Sequence, residues 1–446
     1  MVRSAKEEAE FFSRIILKIT RKSFTVAISN FFRFTLFLNM KWWLQVILLI
    51  LYAFWKDFKP GEPFLFKYHV IFLNLTEQQL NGEIYPYWTY SYLIAMIPIF
   101  LLTDLLLYKP VLMCENIGYI VFRVSLVFLS SVLSQQIGHV FYGIATASEI
   151  AFYSYIYASS DKRDYQRITS WTRAASMSGR TVGYLMSQLI IITKLGTYLT
   201  INQISLASPI IALIIASCFP KVHWKTLIDR IEKTPGTIDD NNLKLPRTYL
   251  AYCRYRIEKM YCNAKTNYSI GFVSKWSLWW AMTTCMSLQV SAYAQTLWGE
   301  VQEEERTLNG FAEATYTASA TTAILIMHAT RIDWDRWGEI ALVIISTVDC
   351  ALLLLFSRTN SIYVMYGCYI GYRTLYQVMI TIAQWNLARK MVCCSYGLLF
   401  GLNTFIALIL QTILTLVIVD KRGLGLNARI QIRYSSFSTF VEDYAA

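Results

Sequence analysis

Recurrent apolar stretches of about membrane-spanning length are the feature that most constrains how this chain folds. Six precede a long polar segment: Trp42 to Trp55, Trp88 to Tyr108, Val111 to Leu133, Val140 to Tyr157, Thr181 to Thr193 and Ile204 to Phe219. Five follow it: Phe272 to Trp298, Phe311 to Met327, Ile340 to Phe356, Tyr363 to Trp385 and Tyr396 to Val419. Lipid offers backbone amides no partner and the stretches show no strand-like alternation, so they predict helices. The predicted fold is an all-α polytopic membrane protein.

The charge of the chain indicates its orientation rather than a nucleic-acid partner. The net charge is +12, but 55% of the 446 residues are hydrophobic, so Lys and Arg are expected in the loops. The polar segment Lys221 to Lys265 holds ten basic residues against five acidic ones and is predicted to be cytoplasmic. With six spans before it, the amino terminus is predicted on the same side.

Two groups of spans joined by a basic linker are typical of carriers in which two six-helix bundles surround a midplane cavity. The predicted layout is a basic cytoplasmic segment at 1–41, a first bundle at 42–219, a linker at 220–270 and a second bundle with a polar tail at 271–446. The tail after Val419 has no adequate apolar run. We therefore expect a major-facilitator-like architecture of 11 or 12 transmembrane helices.

The segments predicted to lie outside are acidic. Lys59 to Pro86 contains three glutamates, and Glu300 to Glu305 is an acidic cluster. Asn74 begins an Asn-Leu-Thr sequon in the first of these segments, which predicts glycosylation there.

Charged residues within the spans are candidate ligand contacts, since each is costly in a bilayer. Glu149 and Tyr142 are seven residues apart, so they could share one helical face and one cavity. Alternatively, Glu149 forms a structural pair with a neighbouring cation. Arg180 either binds a ligand or forms a salt bridge with Glu149, whereas Arg173 is expected near the cytoplasmic mouth.

Arg373 places a further guanidinium in the second bundle. Its fork suits a carboxylate ligand, although an Arg at a helix end can also snorkel to the interface. Trp88 and Tyr92 are one turn apart, and we predict that they face inward to stack on a heteroaromatic ligand. The other aromatic residues of this region are predicted to form an interfacial belt.

Other classes of function lack the residues they need. No Gly-rich phosphate loop is present, the four histidines are scattered, and no cysteine pair has metal-ligand spacing. No removable signal peptide is evident. These observations favour a secondary carrier with no cofactor or metal over an enzyme.

Several motifs connect the chain to a known family. They are Trp88 to Leu93 followed by Pro98 to Asp104, Tyr108 to Val111, Tyr153 to Tyr157, Tyr165 to Arg167, Thr172 to Ala175, Asn202 to Leu206, Gln295 to Trp298, Asn309-Gly310, Glu313, Phe400 to Phe405 and Val419 to Leu424. With these motifs, the chain resembles the reduced folate carrier and thiamine transporter family from Trp42 to about Leu426.

The resemblance implies a twelve-helix major-facilitator fold with both termini inside, which transports water-soluble vitamins across the plasma membrane by alternating access. It also implies that Glu62 is a site carboxylate and Tyr142 a site aromatic. Glu149 stands where thiamine transporters have Glu and vertebrate folate carriers have Arg. Arg373 matches the basic residue that holds the folate tail, whereas Gln411 replaces a second cation of the folate carriers.

Charge complementarity favours a folate-like substrate. A pterin edge would donate to Glu149 or Glu62, and the dianionic tail would bind Arg180 and Arg373. Thiamine is the alternative, although two guanidiniums would repel its thiazolium cation. A non-transporting vitamin-binding or regulatory paralogue is a further alternative, because Arg180 and the polar tail depart from the family pattern. A counter-transported anion or proton is a predicted partner.

Overall fold

The computed structural model describes residues 42–76, 79–232, 248–301, 308–330, 334–391 and 395–414. It divides the chain into two units, residues 1–49 and residues 50–446. In the first unit, residues 42–49 are helical. The second unit contains all the structure described below.

The first half of the second unit is a series of helices connected by short turns. Its main helices are 50–57 (α1), Tyr85–Leu105 (α2), Lys109–Phe128 (α3), Val132–Ser148 (α4), Ile150–Ser159 (α5), Tyr165–Ile192 (α6) and Tyr198–Ser217 (α7). Between α1 and α2 lie four short helical turns at Glu62–Phe64, Leu65–Lys67, Tyr68–Phe72 and Leu80–Ile84. Helices α4 and α5 are separated by Glu149 alone.

The second half begins in the polar segment and continues in the same way. Its helices are Trp224–Glu232 (α8), Tyr249–Ser269 (α9), Gly271–Val301 (α10), Asn309–Ala329 (α11), Trp334–Arg358 (α12), Ile362–Lys390 (α13) and Tyr396–Leu414 (α14). The described residues contain no strand, which confirms the all-α prediction. The tail after Val419, where a twelfth span would have to lie, is outside the described residues.

Five of these helices are long and apolar enough by themselves to cross a bilayer. They are Tyr85–Leu105, Lys109–Phe128, Tyr198–Ser217, the Trp337–Arg358 part of α12, and Tyr396–Leu414. Helices α6 and α13 are longer than any of these, but they carry arginines and other polar residues in the middle of their length.

Local sequence signals explain several helix ends. Thr197 and Thr200 form a reciprocal capping box at the start of α7, and Thr248 caps α9 by accepting from the backbone N–H of Ala251. Pro110 occupies the first turn of α3, where its missing N–H costs nothing.

Helix pairs from the two halves contact each other directly. Helix α2 packs on α14, and α6 packs on both α11 and α13. Gly401 of α14 allows a close approach at Phe100 of α2, since a Cβ on Gly401 would overlap that side chain. Gly143 has the same role between α4 and α2, at Ser91. Small residues at such crossings are typical of helix packing in membranes.

A buried carboxylate joins the end of α2 to the start of α14. Asp104 accepts hydrogen bonds from the backbone N–H groups of Gly397 (3.1 Å) and Leu398 (3.2 Å). Its other partner is Arg256 of α9, at 3.3 Å. The carboxylate therefore satisfies two of the unpaired donors in the first turn of α14 and places a negative charge at its positive end.

A tyrosine cluster lies beside this contact. The hydroxyls of Tyr165 and Tyr396 are 2.8 Å apart, and the ring of Tyr157 lies 4.8 Å from Tyr165 and 5.6 Å from Phe400. Together with Asp104, this cluster closes the unit at the ends where α2 and α5 finish and α6 and α14 begin.

Candidate functional site

A cavity of about 270 Å³ lies between helices of the two halves. The side chains that matter for its chemistry come from the end of α1 and from α2, α5, α6, α10, α13 and α14, together with Glu149 between α4 and α5. They fall into three groups, which are five charged residues, a set of hydroxyls and amides, and an aromatic wall. The charged residues are Asp57, Glu149, Arg173, Arg180 and Arg373.

Arg180 is bound to a carboxylate that the sequence analysis did not pair with it. Its Nε and one terminal nitrogen donate to Oδ1 of Asp57 at 3.0 and 2.7 Å. Asp57 is 1% exposed, so its charge depends on this bond and on Lys59, whose Nζ is 3.9 Å away. Of the two alternatives for Arg180, the salt bridge to Glu149 is not formed.

Glu149 pairs instead with a lysine at the end of α1. The Nζ of Lys56 lies 2.6 Å from Oε1 of Glu149 and 3.4 Å from Oε1 of Glu115 on α3. Tyr52 donates to the other oxygen of Glu115 at 3.2 Å. The side chain of Glu149 is 31% exposed, whereas Lys56 and Glu115 lie behind it and are buried.

Arg373 reaches the cavity from the middle of α13 and has only neutral partners. It donates to the hydroxyls of Ser287 (2.9 Å), Ser291 and Tyr316 (3.4 Å). Its guanidinium carbon also lies 5.0 Å from the ring centre of Tyr316. The Nε atom is buried and has no hydrogen-bond partner among the described residues.

Arg173 of α6 is the second guanidinium with neutral partners. It donates to the side-chain oxygens of Gln384 at 2.9 Å and Gln377 at 3.4 Å, and it lies 4.5 Å from the ring centre of Tyr153. In the described part of the chain, neither Arg173 nor Arg373 has a carboxylate within salt-bridge distance. The cavity wall therefore presents two positive charges that form no salt bridge with a described carboxylate. Glu313 of α11, which accepts a bond from Tyr369 at 2.9 Å, interacts with Arg373 electrostatically but not by direct contact.

The aromatic wall supplies flat surfaces beside Glu149. Trp88 and Tyr92 lie almost parallel, with ring centres 6.3 Å apart and 16° between their planes. Across the cavity, Trp280 and Phe400 are stacked at 5.4 Å. Such surfaces suit a planar heteroaromatic ring.

Five of the seven residues predicted to bind the substrate line this cavity, namely Trp88, Tyr92, Glu149, Arg180 and Arg373. The other two, Glu62 and Tyr142, form a separate cluster that does not contribute to its lining.

In that cluster, Glu62 pairs with Arg123 at 2.7 Å and accepts a bond from the Tyr142 hydroxyl at 3.4 Å. The ring of Tyr142 stacks on Phe122 at 4.4 Å. The seven-residue spacing did not bring Tyr142 and Glu149 to one wall. The two residues are about 10 Å apart along the helix axis, and the Tyr142 hydroxyl is bonded to Glu62 whereas Glu149 is paired with Lys56.

Sequence reasoning missed three charged residues of this region, which are Lys56, Asp57 and Glu115. It named Arg173 but did not include it among the residues that bind the substrate. The described residues contain no cluster of three or more His, Cys, Asp or Glu that could hold a metal ion. Asn74, the predicted glycan acceptor, is exposed and has a left-handed backbone, with φ of 53°.

Comparison with known proteins gives consistent matches over almost the whole chain. The family model described as reduced folate carrier matches residues 40–434. The chain is 40% identical over 400 residues to folate-like transporter 3 of Caenorhabditis elegans, with 90% of this chain and 94% of that protein covered. It is 35% identical over 435 residues to thiamine transporter 1 of Mus musculus, with 89% and 87% covered.

Solved structures show the same fold at low sequence identity. The human organic anion transporter MFSD10 superposes with a TM-score of 0.59 at 12% identity, covering 90% of this chain and 98% of that one. The major facilitator proton:xylose symporter XylE gives a TM-score of 0.60 at 10% identity, covering 90% and 94%. The predicted major-facilitator-like fold is thereby confirmed.

Proposed function

The chain belongs to the reduced folate carrier family, and on that premise we propose that it carries a folate-like vitamin across the plasma membrane by alternating access. The family and the fold make it a multi-pass vitamin transporter rather than an enzyme. The preference for a folate-like anion is our inference from the charges of the cavity.

The observation on which this preference rests is the pair of guanidiniums without carboxylate partners. Arg173 and Arg373 line one cavity, and both donate only to neutral oxygens. Buried cations are most stable when an anion pairs with them. The two carboxylates of a dianionic tail would supply the salt-bridge partners that Arg173 and Arg373 lack. The buried Nε of Arg373 offers one further donor for a carboxylate oxygen.

The rest of the cavity suits the other end of a folate. Glu149 is the partly exposed carboxylate of the wall, and it can accept hydrogen bonds from the amino and ring N–H groups of a pterin. Trp88 and Tyr92 stand beside it as a stacking surface. We keep Glu62 and Tyr142 in the proposed site because of the family resemblance. The ligand would reach these two groups in another conformation of the carrier.

We also propose the orientation that the charge pattern predicts, with both termini in the cytoplasm. The basic segment from Lys221 to Lys265 supports this, as does the exposure of Asn74, which is available for a glycan on the outer side. Either a proton or an exchanged anion would couple the flux.

Thiamine is the second candidate, and a specific observation favours it as well. Two carboxylates, Asp57 and Glu149, belong to the cavity wall and could attract a cation. Both are already paired, with Arg180 and Lys56 at 2.7 and 2.6 Å, so a cationic ligand would have to displace an internal partner. The carboxylates of an anion bound at Arg173 and Arg373 displace no internal ion pair at these two arginines.

Uptake of labelled folic acid and labelled thiamine by cells expressing the full chain separates these functions. Saturable folate accumulation that excess thiamine does not inhibit would support the proposal, and thiamine accumulation alone would overturn it. Saturable binding without accumulation of either vitamin would indicate the non-transporting alternative. Imposed pH gradients and preloaded anions would identify the coupling partner.

A further inference from the structure

Lys56 stands between two carboxylates and binds them unequally. Its Nζ is 2.6 Å from Glu149, which faces the cavity, and 3.4 Å from Glu115, which is fully buried behind it. Nothing in the function proposed above uses Glu115. The three side chains form a row that leads from the cavity wall into the interior.

Lys56 binds Glu115 only loosely. Oε2 of Glu115 accepts from the hydroxyl of Tyr52, whereas Oε1 is in a long salt bridge with Lys56 at 3.4 Å and has no well-formed hydrogen bond in the described part of the chain. A buried carboxylate oxygen without a donor is unfavourable. A small displacement of the lysine, from 3.4 Å to ordinary bonding distance, would satisfy it.

A ligand that donates hydrogen bonds to Glu149 competes with Lys56 for the same carboxylate. If Glu149 were the only partner of Lys56, the competition would leave a buried ammonium without a counter-ion, which is strongly unfavourable. Glu115 removes this difficulty because the lysine can move to it and stay buried and charged.

We propose that Glu115 is a specificity-determining positioning residue that receives Lys56 when an amino-substituted heterocycle binds Glu149. In the empty cavity, Lys56 neutralises the charge of Glu149. Only a ligand that offers hydrogen-bond donors to Glu149 can take the place of the lysine. This inference rests on the proposed function, since it deepens how the same cavity selects its substrate. The opposing view is that Lys56 and Glu149 form a permanent structural pair.

The test measures preference for the donor group rather than overall activity. Full-length protein in lipid nanodiscs is titrated with folic acid and with the analogue in which a methyl group replaces the 2-amino group. The wild-type chain should prefer folic acid by about 10- to 100-fold, the range expected for hydrogen bonds to a charged acceptor. Equal affinity for the two ligands would overturn the proposal.

Glu115→Gln should abolish this preference, chiefly by lowering the affinity for folic acid, because the lysine then stays paired with Glu149. Glu115→Asp keeps the charge at a shorter reach and should give an intermediate preference. Lys56→Met combined with Glu115→Gln removes one charge of each sign, leaves Glu149 free and should restore the preference. If Glu115→Gln keeps the wild-type preference, or the double variant fails to restore it, Lys56 and Glu149 are a permanent pair.

The matched control is Asp349→Asn, a buried intramembrane carboxylate of α12 that does not line the cavity. It should leave the preference unchanged. If Glu115→Gln does not fold, as judged by size-exclusion profile, the Asp variant and the double variant decide the question. If the wild-type chain binds thiamine and not folic acid, the proposed substrate fails. The same variants are then compared with thiamine and its analogue that lacks the 4-amino group.

Discussion

Replacing Arg373 by Gln should separate ligand binding from stability. The guanidinium donates to Ser287, Ser291 and Tyr316, all neutral groups beside the cavity. Without it, these hydroxyls can bind water, so we expect a loss of unfolding free energy of about 1 kcal/mol. A folate carboxylate would lose a charge-assisted partner worth about 2–4 kcal/mol, which corresponds to about a 30- to 700-fold loss of affinity.

Arg180→Gln is the matched comparison, because it removes the same group from the same cavity. Here Asp57 is left buried without its bidentate partner, which typically costs about 3–5 kcal/mol of stability. The lower end of that range applies, since Lys59 stays 3.9 Å from Asp57. Folate affinity should fall less than in Arg373→Gln, because the charge of Arg180 is already neutralised by its ion pair with Asp57.

The assay combines folate uptake, corrected for surface expression, with thermal unfolding of the purified protein in detergent. Arg373→Gln should lose uptake with nearly wild-type unfolding temperature, and Arg180→Gln should show a clear decrease in unfolding temperature. If Arg373→Gln transports folate normally, or if the two variants are equally destabilised, the assignment of paired and unpaired guanidiniums is incorrect.

Three further outcomes are expected. Glu149→Gln should reduce uptake of either vitamin, and normal uptake of both would remove this residue from the site. Asp104→Ala should lower the unfolding temperature by an amount equivalent to about 1–3 kcal/mol, since it leaves buried backbone donors of α14 without an acceptor; an unchanged unfolding curve would contradict the capping role. Asn74→Gln should increase electrophoretic mobility to that of glycosidase-treated wild type, and a mobility equal to untreated wild type would show that no glycan is attached.

Apolar length predicted most of the fold but not where each helix ends. The first stretch, Trp42 to Trp55, has 14 residues, fewer than the roughly 20 that span a bilayer. Helix α1, at 50–57, includes Lys56 and Asp57, and both charges are buried. A span that is too short by apolar count has to include its flanking polar residues, and this signal could have located the missed pair.

The same reasoning explains Arg173. The apolar run Thr181 to Thr193 is only the second part of α6, which begins at Tyr165. Arg173 is eight residues into the helix, about 12 Å from its start, and it lines the cavity. Sequence spacing predicted that Trp88 and Tyr92 share one face of a helix, and both line the cavity. Arg373 was predicted from the cost of a charge within a span, and it lines the cavity as well.

Ion-pair partners were beyond sequence reasoning, since they depend on the three-dimensional arrangement of helices. Arg180 binds Asp57, which is 123 positions away, and Glu149 binds Lys56 at a separation of 93 positions. Neither separation has a periodicity that a single sequence reveals. The sequence could say only that each buried charge needs a partner.

The turn residue Glu149, whose backbone angles are still helical, links the ligand end of the cavity to the tyrosine cluster at the far end of α5. The ten residues of α5 extend about 15 Å, so a change of about 10° in the bend at Glu149 would move the far end by about 2.5 Å. That end carries Tyr157, which touches Tyr165 and Phe400. A rearrangement of the hydrogen bonds of Glu149 would thus displace the far end of α5 enough to separate these rings.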